Sequence, residues 1–157
     1  MTILTEAGTT MLEMVRMIPD GLEATFFTVS PLIALELADH PLLTVIMIGG
    51  QIDMSSQINI GAKPISELAD ISVDLCFLGA HGLDSKAGLS EVEWQVAQVK
   101  KAMIRCSSKL AVITISEKLN SILKMKLCNP HDIDYLITEL NPGDKRLAPY
   151  KKNIQII

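Results

Sequence analysis

Along this chain, short apolar stretches of strand character take turns with segments whose apolar residues recur at helical spacing. Ile3-Leu4-Thr5 is a brief strand candidate, and residues 11, 12, 14, 15 and 18 then form a helical stripe over Met11 to Ile18. Ala24 to Val29, β-branched and aromatic, predicts a strand. Ser30-Pro31 supplies an N-cap followed by proline at the first helical position, opening a helix to about Asp39. Leu43 to Ile48 is almost wholly apolar and closes on Gly49-Gly50, the pattern of a central parallel strand buried on both faces. Ala62 to Ala69 predicts a helix with Pro64 in its first turn, and Val73 to Leu78 another buried strand. A loop follows over Gly79 to Gly88, then the longest helix from about Ser90 to Ser107. Leu110 to Ile115 and Asp134 to Thr138 read as strands, with a last one over Asn153 to Ile157.

This order predicts an α/β domain around a mainly parallel sheet. The chain has 157 residues, which suits one domain, and 48% of them are hydrophobic, enough for a sizeable core. The longest apolar runs are too short to cross a bilayer, and the opening residues lack a secretory signal pattern, so a cytoplasmic location is expected. The net charge of −4 and the short, interspersed basic clusters argue against DNA binding by this chain alone. Cys76, Cys106 and Cys128 have neither disulfide-framework nor zinc-ribbon spacing, and Cys76 lies in an apolar run as a buried thiol would. One oddity stands out: the chain starts almost directly on a strand. A doubly wound sheet covered on one face only would expose apolar surface, so either another protomer covers it or the chain is part of something longer.

In open parallel sheets, ligands bind beyond the carboxyl ends of the strands. Those positions hold Glu6 to Thr10, Thr28 to Ser30, Gly49-Gly50, Gly79 to Gly82 and Ser116 to Lys118. Gly8 permits a tight turn, while Thr9 and Thr10 add hydroxyls where the following helix opens; free amides and the helix dipole there suit a phosphate. A plain helix cap is the competing explanation. Lys118 follows a buried strand and could neutralise the same anion. His81 sits in a glycine-flanked loop at a strand end. Lys100 and Lys101 are placed on one helix with Glu91 and Glu93, and one of the two lysines can face the pocket. No histidine has metal-pair spacing, no cofactor motif occurs, and no nucleophile–base–acid set stands out.

Taken in order, these segments resemble the C-terminal sensor domain of DeoR-type regulators of sugar metabolism. The matching stretches are Ala7-Gly-Thr-Thr10, Thr28-Val-Ser30, Val45 to Gly50, Gly61 with its helix, and Asp74 to Asp84. Gly88-Leu-Ser90, Val99 to Ile104, Ser116-Glu-Lys118 and Ile133 to Thr138 continue the series. The resemblance implies a single sensor domain over residues 1–157 with a three-layer, Rossmann-like sheet of the ribose-5-phosphate isomerase/CoA-transferase type. It implies a phosphorylated sugar or related metabolite as ligand, held at its phosphate by Gly8, Thr9, Thr10 and Lys118. Thr28, Gly49, Gly50, Gly79, His81 and Lys100 would line the rest of the pocket. It further implies a homo-oligomer, no enzymatic activity, and contact with operator DNA only through a winged helix-turn-helix that precedes this domain in such regulators. Three positions depart from the family pattern: Val29 replaces an asparagine, Ile115 an aspartate and Met11 a threonine. A sugar-phosphate isomerase with His81 as its base, and an oligomerisation module without a ligand, are the alternatives.

Overall fold

The computed structural model describes residues 1–157. The first half runs β1 (Thr2–Thr5), α1 (Thr9–Arg16), β2 (Ala24–Thr28), α2 (Pro31–Ala38) and β3 (Leu43–Met47). A small hairpin, β4 (Gln51–Ile52) and β5 (Asn59–Ile60), leads into α3 (Ala62–Ala69) and β6 (Val73–Gly79). Then come β7 (Gly82–Asp84), β8 (Gly88–Glu91), α4 (Trp94–Arg105) and β9 (Ser107–Ile113). The chain finishes with β10 (Met125–Cys128), β11 (Tyr135–Ile137) and β12 (Gln155–Ile156).

Seven strands form the central sheet in the order β12-β11-β9-β6-β1-β2-β3, and every neighbouring pair is parallel. The chain enters at the middle, winds outward through β2 and β3, then returns to the other side of β1 and winds outward again. The switch point of this doubly wound sheet therefore lies between β1 and β6, where Leu4 stands opposite Cys76 and Thr5 opposite Phe77. Helices α1 and α2 pack together, as do α3 and α4. Period-two alternation sends Ile3 and Phe26 into the core under α1 and α2, with Met11, Val15, Ile33 and Leu37. Leu4, Cys76 and Leu78 go to the opposite core with Leu68, Val96, Val99 and Met103. Each fully buried side chain of this size contributes about 1.5–3 kcal/mol.

Local signals account for the helices. The Ser30 hydroxyl accepts from the Ile33 amide at 3.4 Å, and Pro31 occupies the first turn of α2. Helix α3 has the predicted bounds and buries Pro64 and Leu68, four residues apart.

Some expectations need correction. The Leu43–Ile48 run, predicted as a central strand, is the sheet's edge: β3 pairs only with β2, and Ile46 and Met47 are 42% and 50% exposed. Its apolar composition therefore reflects an uncovered margin. The predicted loop over Gly79–Gly88 contains β7, which pairs antiparallel with β8, and β10 completes a separate three-stranded sheet. The long helix accordingly begins at Trp94, because Gly88–Glu91 is strand. No helix is long and apolar enough to cross a membrane.

Candidate functional site

A cleft of about 510 Å³ opens at the switch point, beyond the carboxyl ends of β1, β6 and β9. Its floor is the turn between β1 and α1. Gly8 has φ of 125° with open space where a Cβ would stand, so glycine is needed there for backbone conformation and not for room. No side chain caps α1, and no acidic residue lies in its first turn. The first amides of the helix thus face the cleft beside the hydroxyls of Thr9 and Thr10, an arrangement that accepts an anion. The competing idea of a threonine-capped helix fails on this geometry.

Lys118 lines the same cleft from the turn at Ser116–Lys118. That turn is fixed by Glu139, whose two carboxylate oxygens accept from the Ser116 amide at 2.9 and 3.0 Å. Hydrogen bonds from Ser116, then Thr138, lower the Glu139 pKa to about 2, so the carboxylate stays charged at any working pH. The third wall comes from the β4–β5 turn, where Ser55, Ser56 and Gln57 line the cleft. Asp53 Oδ2 accepts from the Ser55 hydroxyl, the Ser56 amide and the Ser56 hydroxyl at 2.7–2.8 Å and orders this turn.

The inner wall holds a buried chain of charges. Lys100 Nζ lies 3.1 Å from Glu6 Oε2 and 3.0 Å from Glu91 Oε2, and it donates to the Gly79 carbonyl at 3.2 Å. All three ionisable side chains are less than a tenth exposed. Glu91 also takes His81 Nδ1 at 2.7 Å and the Val92 amide at 2.7 Å. Burial works against its charge, but His81, Lys100 and the Val92 amide outweigh it and lower the pKa to about 2. For Glu6 burial prevails over Lys100 and the pKa rises; for Lys100 the two carboxylates prevail over burial and raise it. Because Glu91 engages Nδ1 of His81, the other ring nitrogen, Nε2, is left for a ligand, and the imidazole is about half exposed.

Of the residues picked from sequence, Gly8, Thr9, Thr10, Gly79, His81, Lys100 and Lys118 line this one cleft. Thr28, Gly49 and Gly50 do not. The Thr28 hydroxyl is buried, donating to the Thr5 carbonyl at 3.0 Å and accepting from the Ser30 amide at 3.1 Å. Gly50 is a packing position, since a Cβ there would come within 2.9 Å of the Ile60 carbonyl. Val29 is wholly buried in the core, whereas Met11 and Ile115 touch the cleft. Sequence reasoning missed Glu91, which sits on β8 and not on the lysine helix, and Ser55 to Gln57. A signal for choosing Lys100 over Lys101 was present: Val96 and Met103 lie four residues before and three after it on the buried stripe. No cluster of three His, Cys, Asp or Glu side chains is arranged to hold a metal ion.

A doubly wound parallel sheet with a cleft at its switch point defines an α/β domain of the Rossmann-like class. Residues 1–140 match the family described as the DeoR C terminal sensor domain, and the chain belongs to that family. It is 28% identical over 151 residues to the HTH-type transcriptional regulator GolR of Listeria innocua, covering 96% of this chain and 58% of the relative. It is 31% identical over 153 residues to the HTH-type transcriptional regulator YulB of Bacillus subtilis, covering 96% and 58%. A third relative, the HTH-type transcriptional regulator GlpR of Haloferax volcanii, is 28% identical over 134 residues, covering 85% and 52%. The chain thus spans somewhat over half the length of these relatives. Among solved structures, eIF2B beta from Chaetomium thermophilum superposes with a TM-score of 0.58 at 11% identity, covering 97% of this chain and 48% of that one. D-ribose-5-phosphate isomerase in complex with phospho-erythronic acid superposes with a TM-score of 0.50 at 14% identity, covering 76% and 46%. At these identities the likeness is one of fold.

Proposed function

We propose that this domain is the ligand sensor of a transcriptional regulator, and that it binds a phosphorylated sugar or a related phosphorylated metabolite in the cleft. The observation that carries this reading is the uncapped, acid-free N-terminus of α1 facing the same space as Lys118. Backbone amides at Gly8–Thr10 take the phosphate oxygens, and the ammonium of Lys118 neutralises the charge from across the cleft. Gly79, His81 and Lys100 border the remainder, where the organic part of the ligand lies. The relatives' description as HTH-type regulators supports a DNA-binding segment elsewhere in the full protein. Ligand and operator DNA are then linked because the ligand prefers one state of the assembly. The domain acts in the cytoplasm, without turnover of its ligand.

Self-association belongs to the same reading. The apolar edge strand β3 leaves backbone donors and acceptors unpaired beside exposed Leu42, Ile46 and Met47, and a symmetric partner strand would satisfy them. The sensing claim is tested by thermal shift with ribose 5-phosphate, sorbitol 6-phosphate and inorganic phosphate. A ligand at about 100 times its Kd adds about 2.7 kcal/mol to stability. No shift with any phosphorylated probe in a folded sample would sink it.

A further inference from the structure

Three histidines occur in the chain, and only His81 meets a buried carboxylate. His131 lies 3.6 Å from Asp132 with both side chains exposed, and His40 does not border the cleft. His81 does border it, half-exposed, while the Glu91 side chain behind it is almost wholly buried. Nδ1 of the ring stands 2.7 Å from Glu91 Oε2 and 2.9 Å from Oε1. The backbone on either side of the ring is pinned as well. The Ala80 amide donates to the Ile113 carbonyl at 3.2 Å. Gly82 opens β7 so close to its neighbours that a Cβ there would come within 2.9 Å of the Ser121 carbonyl.

Glu91 decides which ring nitrogen carries the proton. Its Oε1 accepts from the Val92 amide at 2.7 Å, and its Oε2 lies 3.0 Å from the Lys100 ammonium. Burial opposes its charge, but His81, Lys100 and the Val92 amide outweigh burial and keep the carboxylate ionised. An ionised carboxylate only accepts, so Nδ1 must be the N–H. In the neutral imidazole that leaves Nε2 as a bare acceptor, and the ring's hydrogen bonds to the protein all run through Nδ1. Lys100 does not need Glu91 for charge balance alone, because Glu6 stands 3.1 Å from the same ammonium. A group that meets Nε2 must be a donor. A fully ionised phosphate only accepts, so the phosphate belongs at the Gly8–Thr10 turn and a hydroxyl at His81.

We infer that Glu91 is a positioning residue: it holds neutral His81 with its proton on Nδ1, so that Nε2 accepts a hydrogen bond from a ligand hydroxyl. The cleft then prefers phosphorylated polyols or sugars to phosphate esters without hydroxyls. This rests on the phosphate reading above. Gly8, Thr9, Thr10, Lys118 and His81 border one cleft of about 510 Å³, a volume that a small metabolite can span. The ligand is thereby given a direction, its phosphate at the α1 turn and a hydroxyl beyond the end of β6.

Imidazole nitrogen NMR of the chain at pH 8 reads the tautomer directly, with the His81 signals assigned by their loss in His81→Phe. The wild type is expected to show a protonated Nδ1 and a bare Nε2. In Glu91→Leu, where Lys100 keeps Glu6, the preference for Nδ1 is expected to be lost, a change that a purely structural role for Glu91 would not produce. A proton on Nε2 in the wild type, or on both nitrogens, overturns the inference, as does an unchanged tautomer in Glu91→Leu. Titration calorimetry then compares sorbitol 6-phosphate with hexyl phosphate, probes of equal chain length. The wild type is expected to prefer the polyol phosphate. That preference falls by about fivefold in His81→Phe and in Glu91→Leu, the scale of one neutral hydrogen bond. A preference that survives in His81→Phe overturns the inference, and so does a parallel loss for both probes with their ratio intact. Equal binding of the two probes by the wild type ends the His81 role and leaves the phosphate reading standing. If neither probe binds the wild type, the phosphate reading falls and the inference falls with it. Should Glu91→Leu fail to fold by circular dichroism, the wild-type tautomer and the His81→Phe ratio decide the outcome.

Discussion

The two ends of the central sheet handle charge in opposite ways. At the amino ends of the strands, polar groups are tied together in the open. Asp74 Oδ2 accepts from the Thr2 amide and hydroxyl at 2.7 and 2.9 Å, and Asp134 takes Lys109 at 2.6 Å and the Leu110 amide at 2.9 Å. The side chains that hold these contacts are exposed or half-exposed, and water could replace them at little cost. At the carboxyl ends, Glu6, Lys100 and Glu91 are withdrawn from water, where a missing partner is expensive. Similar chemistry thus staples strands at one end and lines the inner wall of a cleft at the other. Burial is what separates them.

The largest effect expected from breaking this contrast comes from Lys100→Met, which strands two buried carboxylates. It should cost about 3–5 kcal/mol in urea unfolding. Lys109→Met at the other end should leave the midpoint within error, and equal losses from the two would void the comparison.

Acid titration sharpens it next. Glu91 has its pKa lowered on folding from 4.5 to about 2, so its contribution is complete above pH 4.5 and disappears as the pH falls through about 2. A shift of that size corresponds to about 3 kcal/mol. Glu91→Gln should therefore flatten the stability profile between those two pH values, and an unchanged acid limb would contradict the assignment. Glu6, with its pKa raised, works in the opposite sense: its folded state is favoured at low pH and loses that advantage as the pH rises above 4.5.

A smaller change comes from Gly8→Ala, which forces a side chain into a φ of 125°. About 1–2 kcal/mol of strain is expected in thermal unfolding, together with weaker binding of inorganic phosphate. Strain without a change in phosphate affinity would separate the turn from the anion. The smallest effect belongs to Asp74→Asn, which removes an exposed staple and should leave both stability and ligand binding unchanged in the same assays.

Much of this arrangement was legible in the sequence because it depends on local periodicity. Helix α3 falls on its predicted residues, and Gly8-Thr9-Thr10 with Lys118 come together because strand ends in a parallel sheet converge. What stayed hidden depends on non-local pairing. An apolar run such as Leu43 to Ile48 does not say how many neighbours it has, and β3 turned out to have one. Glu91 was placed on the lysine helix because a four-residue strand leaves little periodic signal, and only the fold brings it against Lys100 from β8. The β7–β8–β10 sheet was invisible for the same reason, its strands being three or four residues long.

The placement of β1 has a consequence for how the protein is made. It precedes every other strand of the sheet in chain order, yet it ends near the middle of the sheet. Its first neighbour, β2, arrives within some thirty residues, but its second, β6, ends only at Gly79. Until then the future centre of the molecule has an open flank, and pairing across so long an intervening chain is slow. A nascent chain stalled before residue 79 would therefore expose an apolar strand that the finished protein keeps out of reach, and would be a natural client for a chaperone.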